Sequence, residues 1–284
     1  MLTRVILELG CNHQGSVEVA KQMIDDAQRL GVWGVKIQKR HPESIPEEQK
    51  NLPRHAKDSF GETYYEHRKA LEFSVEQVME LKAYAEAKKL AFVVSVFDAQ
   101  SAKDMVERAL VKYVKLPSQF LLDYNLNMYL ILNKVEYCLM LIHSTGMHTV
   151  QEVLNCPFLN RFDVTLYCRS IYPCTFEQVD LGAARAIFDQ LVCPAARGYS
   201  SHDKDGAAIP WMVALGARWV ERHYTLDKTM KGSDHKTVSS NFEDVQRIMT
   251  DIADTEDLFV VKNATSLASE AEIKNRLFYR GKAE

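Results

Sequence analysis

The chain has 284 residues, enough for one large barrel domain or two ordinary ones, and its 46% hydrophobic and 26% charged residues are those of a globular protein. A net charge of −3, with the few Lys/Arg clusters on helical faces, implies no basic surface for nucleic acid. No apolar run approaches the ~20 residues that a membrane helix requires.

The first segment, MLTRVILELG, has too short an apolar part and no small-residue cleavage site, so it reads as a strand and not as a signal peptide. From there short apolar runs alternate with helical patterns. The spacing predicts strands over residues 5–9, 34–38, 91–96, 113–116, 137–142, 163–168, 195–199 and 219–222. Between them a 3.6-residue apolar period predicts helices over 17–30, 75–90, 99–109, 125–132, 150–154, 181–188 and 206–215, with a last helix over 242–254. Eight strand–helix units in series predict an α/β fold, a closed (β/α)₈ TIM barrel formed as a single domain over residues 1–257, followed by a short C-terminal extension, 258–284. A doubly wound sheet is the alternative, but it calls for a Gly-rich turn after the first strand, and none is present. Residues 40–65 form a long polar insertion rich in Pro, Glu and Lys, expected to act as a lid on the active face. The six cysteines are scattered without a CxxC pair, as expected for reduced thiols in a cytoplasmic protein.

Side chains two apart on a strand share a face. With Val35 and Ile37 packed outward, Lys36 and Gln38 point into the barrel. The same rule turns Ile6, Glu8 and Gly10 inward, then Tyr113 and Lys115, then Ile142 and Ser144. Ser95 ends the third strand, Ser118 follows the fourth, Tyr172 the sixth, and Ser200 the seventh. Charges inside a barrel are costly unless paired or liganded. Glu8, Lys36 and Lys115 are thus either a structural ion network or part of a site. Two inward lysines among Ser95, Ser118, Ser144 and Ser200 make a cationic cup suited to a phosphate or a small phosphorylated acid.

His202 and His223 end neighbouring strands. Two imidazoles in that layout suggest a metal site, the alternative being two ordinary surface histidines. His223 is followed by a polar loop that carries Asp234.

ELGCNHQG, VKIQK, HSTGM, GYSSHD and ERHYTLDKTMKGSDH together resemble the N-acetylneuraminate (sialic acid) synthase family, in order, from Leu7 to Ser239. The resemblance implies a (β/α)₈ enzyme that condenses phosphoenolpyruvate with a sugar aldehyde to give a 2-keto-3-deoxy sugar acid and phosphate. It implies a divalent metal, manganese first and magnesium or cobalt as alternatives, on His202 and His223. It puts Lys36, Ser95, Lys115, Ser118, Ser144 and Ser200 at phosphoenolpyruvate, and Glu8, Gln38, Tyr172 and Asp234 near the sugar. Glu8, Lys36 and Lys115 are the expected catalytic groups.

Three departures stand out. Ser201 occupies the place of a carboxylate before His202, Phe120 that of a sugar-binding carboxylate, and Ser170 that of an asparagine. The family's C-terminal antifreeze-like domain is not in the sequence, which leaves a homodimer or a separate cap protein as expected partners. An altered acceptor site follows as an expectation, with N-acetylmannosamine a poor substrate. A Schiff-base aldolase using Lys36 or Lys115, and an inactive member that binds a sugar or a partner enzyme, remain as alternatives.

Overall fold

A computed structural model describes residues 3–54, 58–232, 234–259 and 270–280. Eight strands close into one parallel barrel in sequence order. They are β1 (Arg4–Gly10), β2 (Gly34–Lys39), β3 (Ala91–Val96), β4 (Tyr113–Leu116), β5 (Met140–Ser144), β6 (Val164–Tyr167), β7 (Arg197–Ser201) and β8 (Trp219–His223). The main outer helices are α1 (Val17–Leu30), α4 (Val75–Ala87), α5 (Ala99–Lys103), α6 (Tyr124–Asn133), α7 (Val150–Leu154), α8 (Leu181–Phe188), α9 (Ile209–Ala214) and α11 (Phe242–Leu258). The predicted barrel is present, with boundary shifts that have local causes. The fifth strand starts at Met140 because the Tyr137 amide still bonds to Asn133 O, which prolongs the turn after α6. The fourth helix stops at Ala87 because Lys89 turns left-handed, φ 62°.

The 40–65 insertion carries a short helix, α2 (Glu47–Lys50), and leads into α3 (Tyr64–Leu71), which the apolar periodicity does not reveal. Thr63 and Glu66 form a reciprocal capping box that starts α3. Two further helices, α10 (Asp234–Thr237) and α12 (Glu270–Arg280), also escape the periodicity.

Alternation divides each strand between two cores. Val5, Leu7, Leu9, Val35, Ile37, Phe92, Val94 and Val96 pack outward against the helices. Inside, Ile6, Val93, Ile142, Val164, Leu166 and Trp219 form a separate apolar floor, against which Trp33, Tyr113 and Met140 pack. Trp33 meets Trp219 and Tyr113 edge-on, with centroids 4.8 and 5.1 Å apart. Gly198 leaves the room Trp219 needs, since a Cβ there would meet Trp219 Cβ at 2.9 Å. This floor shuts one end of the barrel, so polar groups can gather only above it, at the C-terminal ends of the strands.

Candidate active site

Directly above the floor, four charged side chains form one buried layer. The strand register brings Glu8 level with Lys36 on one side and with His223 on the other, and Ser200 level with Glu221. Lys36 Nζ lies 2.6 Å from Glu8 Oε2 and 3.6 Å from Glu221 Oε2. Lys115 Nζ donates to both oxygens of Glu221, at 2.7 and 2.8 Å. Lys36 also donates to Ser95 Oγ at 2.9 Å, and Ser200 Oγ donates to Glu221 Oε1 at 3.0 Å. Burial opposes ionisation of Glu221, but Lys115 and Lys36 outweigh it and hold the carboxyl well below its ordinary range. Burial likewise acts to lower Lys36, and the Glu221 and Glu8 charges outweigh it, raising the group above an ordinary lysine.

Glu221 corrects the expected cationic cup. With it, two carboxylates face two ammoniums and the layer is neutral. The signal was available: Glu221 precedes His223 by two on the same strand, so an inward His223 requires an inward Glu221.

Above the layer sit the two histidines, with ring centroids 5.6 Å apart. His202 Nδ1 donates to Arg169 O at 2.7 Å, which turns Nε2 toward the cavity, 3.4 Å from Ser200 Oγ. Burial first, and the neighbouring His223 second, lower its pKa to about 3, so the imidazole is neutral. A neutral ring fixed through Nδ1 to a carbonyl is the form in which histidine binds a metal. The pair fits a divalent cation in that respect. No third His, Cys, Asp or Glu among the described residues joins them in a metal-sized group, so an ion here would keep open positions. Tyr172 covers the pair, its ring 4.3 Å from that of His202 and 6.2 Å from that of His223.

Behind β8, buried Arg222 braces both histidine loops. It donates to Ser240 Oγ at 2.9 Å, to Ser201 Oγ at 3.0 Å and to Asp203 O at 2.7 Å. Asn12 ties the first loop to the eighth by donating to Tyr224 O and Ser239 Oγ. On the opposite rim Gln38 donates to Glu8 Oε1 at 2.7 Å and accepts from Arg40 at 2.7 Å, while the Arg40 guanidinium stacks on Phe97.

One cavity of about 120 Å³ gathers Glu8, Lys36, Gln38, Ser95, Lys115, Ser118, Ser144, Tyr172, Ser200, His202 and His223, as the sequence suggested, and adds Glu221, Phe97, Gln119, Cys168 and Ser170. Ser144 Oγ is buried there with no hydrogen-bond partner among the described residues. Asp234 opens α10, and its side chain lies outside the described residues. Two of the three departures do not reach the cavity. Ser201 faces outward and donates to Asp203 Oδ1 at 2.6 Å. Phe120 packs on the outer core and meets Phe97 edge-on at 6.4 Å.

Comparison with known proteins places this geometry. N-acetylneuraminate-9-phosphate synthase from Homo sapiens is 37% identical over 81% of this chain and 64% of its own length. Its counterpart from Drosophila melanogaster is 34% identical over 82% and 62%. The chain therefore spans somewhat under two thirds of these relatives. N,N'-diacetyllegionaminic acid synthase from Legionella pneumophila is 31% identical over 89% of this chain and 72% of its own. The crystal structure of N-acetylneuraminic acid (sialic acid) synthetase from Leptospira borgpetersenii, in complex with citrate, has the same fold, with TM-score 0.80 at 24% identity over 99% of this chain and 94% of that one. The NeuB family model matches residues 23–263. On this match, and on relatives more than 30% identical over four fifths of its length, the chain belongs to the NeuB family.

Proposed function

We propose that the protein condenses phosphoenolpyruvate with a sugar aldehyde, forming a 2-keto-3-deoxy sugar acid of the nonulosonic type and releasing phosphate. The observation that carries this reading is the buried Glu8–Lys36–Glu221–Lys115 layer lying directly beneath the His202–His223 pair. The names of the relatives, synthases of N-acetylneuraminate-9-phosphate and of N,N'-diacetyllegionaminic acid, support it.

In the reaction C3 of phosphoenolpyruvate bonds to the aldehyde carbon, water adds at C2, and the C2–O bond to phosphate breaks. Lys36 and Lys115 supply charge to the phosphate and carboxylate oxygens. Ser95, Ser118 and Ser144 give short hydroxyl donors around the same anion, and Ser144 Oγ, without a partner among the described residues, is ready for one, while the Ser200 hydroxyl beside them donates to Glu221. Glu8, anchored by Lys36 and Gln38, orients the acceptor or moves a proton, as when the aldehyde oxygen gains one. Glu221 is a positioning residue that holds both ammoniums at fixed places. A divalent cation, manganese by the family's habit, would sit on His202 and His223 and polarise the aldehyde oxygen. A Schiff-base mechanism fits less well at Lys36, which Glu8 and Glu221 hold as an ammonium; burial outweighs Glu221 at Lys115 and lowers it below an ordinary lysine, so that reading would use Lys115.

Phosphate release from phosphoenolpyruvate, measured against a panel of aldoses and N-acylated hexosamines with added manganese, tests this. Release that requires both phosphoenolpyruvate and one of the aldehydes is expected. No release with any of them, or a borohydride-trapped pyruvate adduct on lysine, would overturn it.

A further inference from the structure

A second cavity, about 380 Å³, lies outside the first, between the loops that follow β5 and β6 and the start of α8. Met147, Cys168 and Ser170 line both cavities, so the two adjoin. Gly146 packs against Cys168 and Ser170, two of the residues the cavities share. A Cβ there would overlap Ser170 Oγ, and would meet Cys168 Sγ at 2.8 Å and Ser118 Oγ at 3.0 Å.

Three groups on the outer cavity have hydrogen-bonding capacity to spare. Arg169 is half-buried, and its guanidinium makes no hydrogen bond or ion pair among the described residues. Its carbonyl is the acceptor for His202, which fixes its backbone. Thr145 is 2% exposed, and its Oγ1 has no hydrogen-bond partner among the described residues. His148 Nδ1 donates to Gly146 O at 2.8 Å, which leaves Nε2. The Asp180 carboxylate, also on this wall, is engaged by the Ala183 amide at 2.9 Å. A half-buried guanidinium without a counter-ion and a buried hydroxyl without a partner both cost free energy that an anion would recover. His148 Nε2 adds a third hydrogen-bonding group. A guanidinium, a hydroxyl and an imidazole nitrogen around a space of this size match inorganic phosphate.

We propose that the outer cavity is a binding site for inorganic phosphate, held by Arg169, Thr145 and His148, which receives the phosphate leaving the adjoining reaction cavity. That the phosphate is a reaction product rests on the function proposed above; that the cavity binds phosphate does not.

Calorimetric titration with inorganic phosphate is the test, on wild type, Arg169→Met and Thr145→Val. Arg169→Met should weaken one phosphate-binding step by roughly 10-fold or more, and Thr145→Val by roughly 2- to 10-fold. Saturating phosphoenolpyruvate should leave that step in place in the wild type. In turnover, Arg169→Met should keep the KM for phosphoenolpyruvate while losing the part of phosphate product inhibition that phosphoenolpyruvate does not relieve. Identical isotherms for wild type and Arg169→Met, or displacement of all bound phosphate by phosphoenolpyruvate, would overturn the proposal. Absence of phosphate release with every aldehyde would sink the proposed reaction, and the isotherms alone would then decide whether the outer cavity binds phosphate.

Discussion

Glu221 clasps Lys115 with both carboxylate oxygens, at 2.7 and 2.8 Å, inside a barrel layer where neither side chain is more than 7% exposed. A buried pair of this kind adds little net stability, but removing one partner strands the other charge. Glu221→Gln should therefore destabilise the fold by about 3–5 kcal/mol. The double variant Glu221→Gln, Lys115→Met should recover most of that loss while remaining inactive. Urea unfolding of the singles and the double closes the cycle. Independent, additive losses would mean that the two side chains do not act as a pair.

The histidine pair carries a different expectation. His202→Ala and His223→Ala sit at strand ends, where change costs function more than fold. Each should keep a wild-type circular dichroism spectrum and lose most of the manganese retained after dialysis, as read by elemental analysis. Unchanged metal content in the double variant would remove these residues as ligands.

Buried neutral histidines should make the protein acid-sensitive. Burial lowers His143 to about 3, and its Nε2 lies 2.8 Å from Thr165 Oγ1 while its ring stacks on Phe162. The folded pKa is below the unfolded value of about 6.5. The unfolded chain therefore takes up the proton first as pH falls, and stability drops from about pH 6.5 down toward pH 3. Each such histidine contributes a slope of about 1.4 kcal/mol per pH unit within that window and nothing above it. His143→Gln, which can keep a donor for Thr165, should lower the slope between pH 6 and pH 5 by that amount in urea unfolding. An unaltered slope would show that His143 is not the group taking up the proton.

The barrel and most of its mouth were legible because period-2 alternation is a local property, and Glu8, Lys36, Gln38, Lys115 and Ser144 all obeyed it. Glu221 escapes the rule only where it is applied to β1, β2, β4 and β5 and not carried back from His223. Ser201 misled for the complementary reason: its inward neighbour Ser200 forces it outward, so matching it to a motif gave its place but not its direction. The α3 helix starts at the end of a polar insertion and shows little apolar periodicity, although Thr63 and Glu66 signal its start. Arg169 could not have been singled out, since nothing in one dimension shows that a guanidinium lacks a counter-ion.

Ser201 and Phe120 thus give no reason to expect an altered acceptor site. Ser201 contacts Asp203 and Arg222, and Phe120 packs on the outer core, whereas Gln119 and Tyr172 face the reaction cavity. The ranking of aldehyde acceptors should follow the groups that line the cavity. Gln119→Ala and Tyr172→Phe each remove a polar group from the cavity's lining residues, and each should raise the acceptor KM by roughly 2- to 10-fold while leaving that for phosphoenolpyruvate unchanged. Phe120→Leu, a substitution within the outer packing, should leave the ranking as it is. Steady-state rates for N-acetylmannosamine, its 6-phosphate and other N-acylated hexosamines decide the point. A ranking that changes in Phe120→Leu but holds in both Gln119→Ala and Tyr172→Phe would mean that acceptor choice is set by the β4 turn acting through the backbone, and not by the side chains that line the cavity.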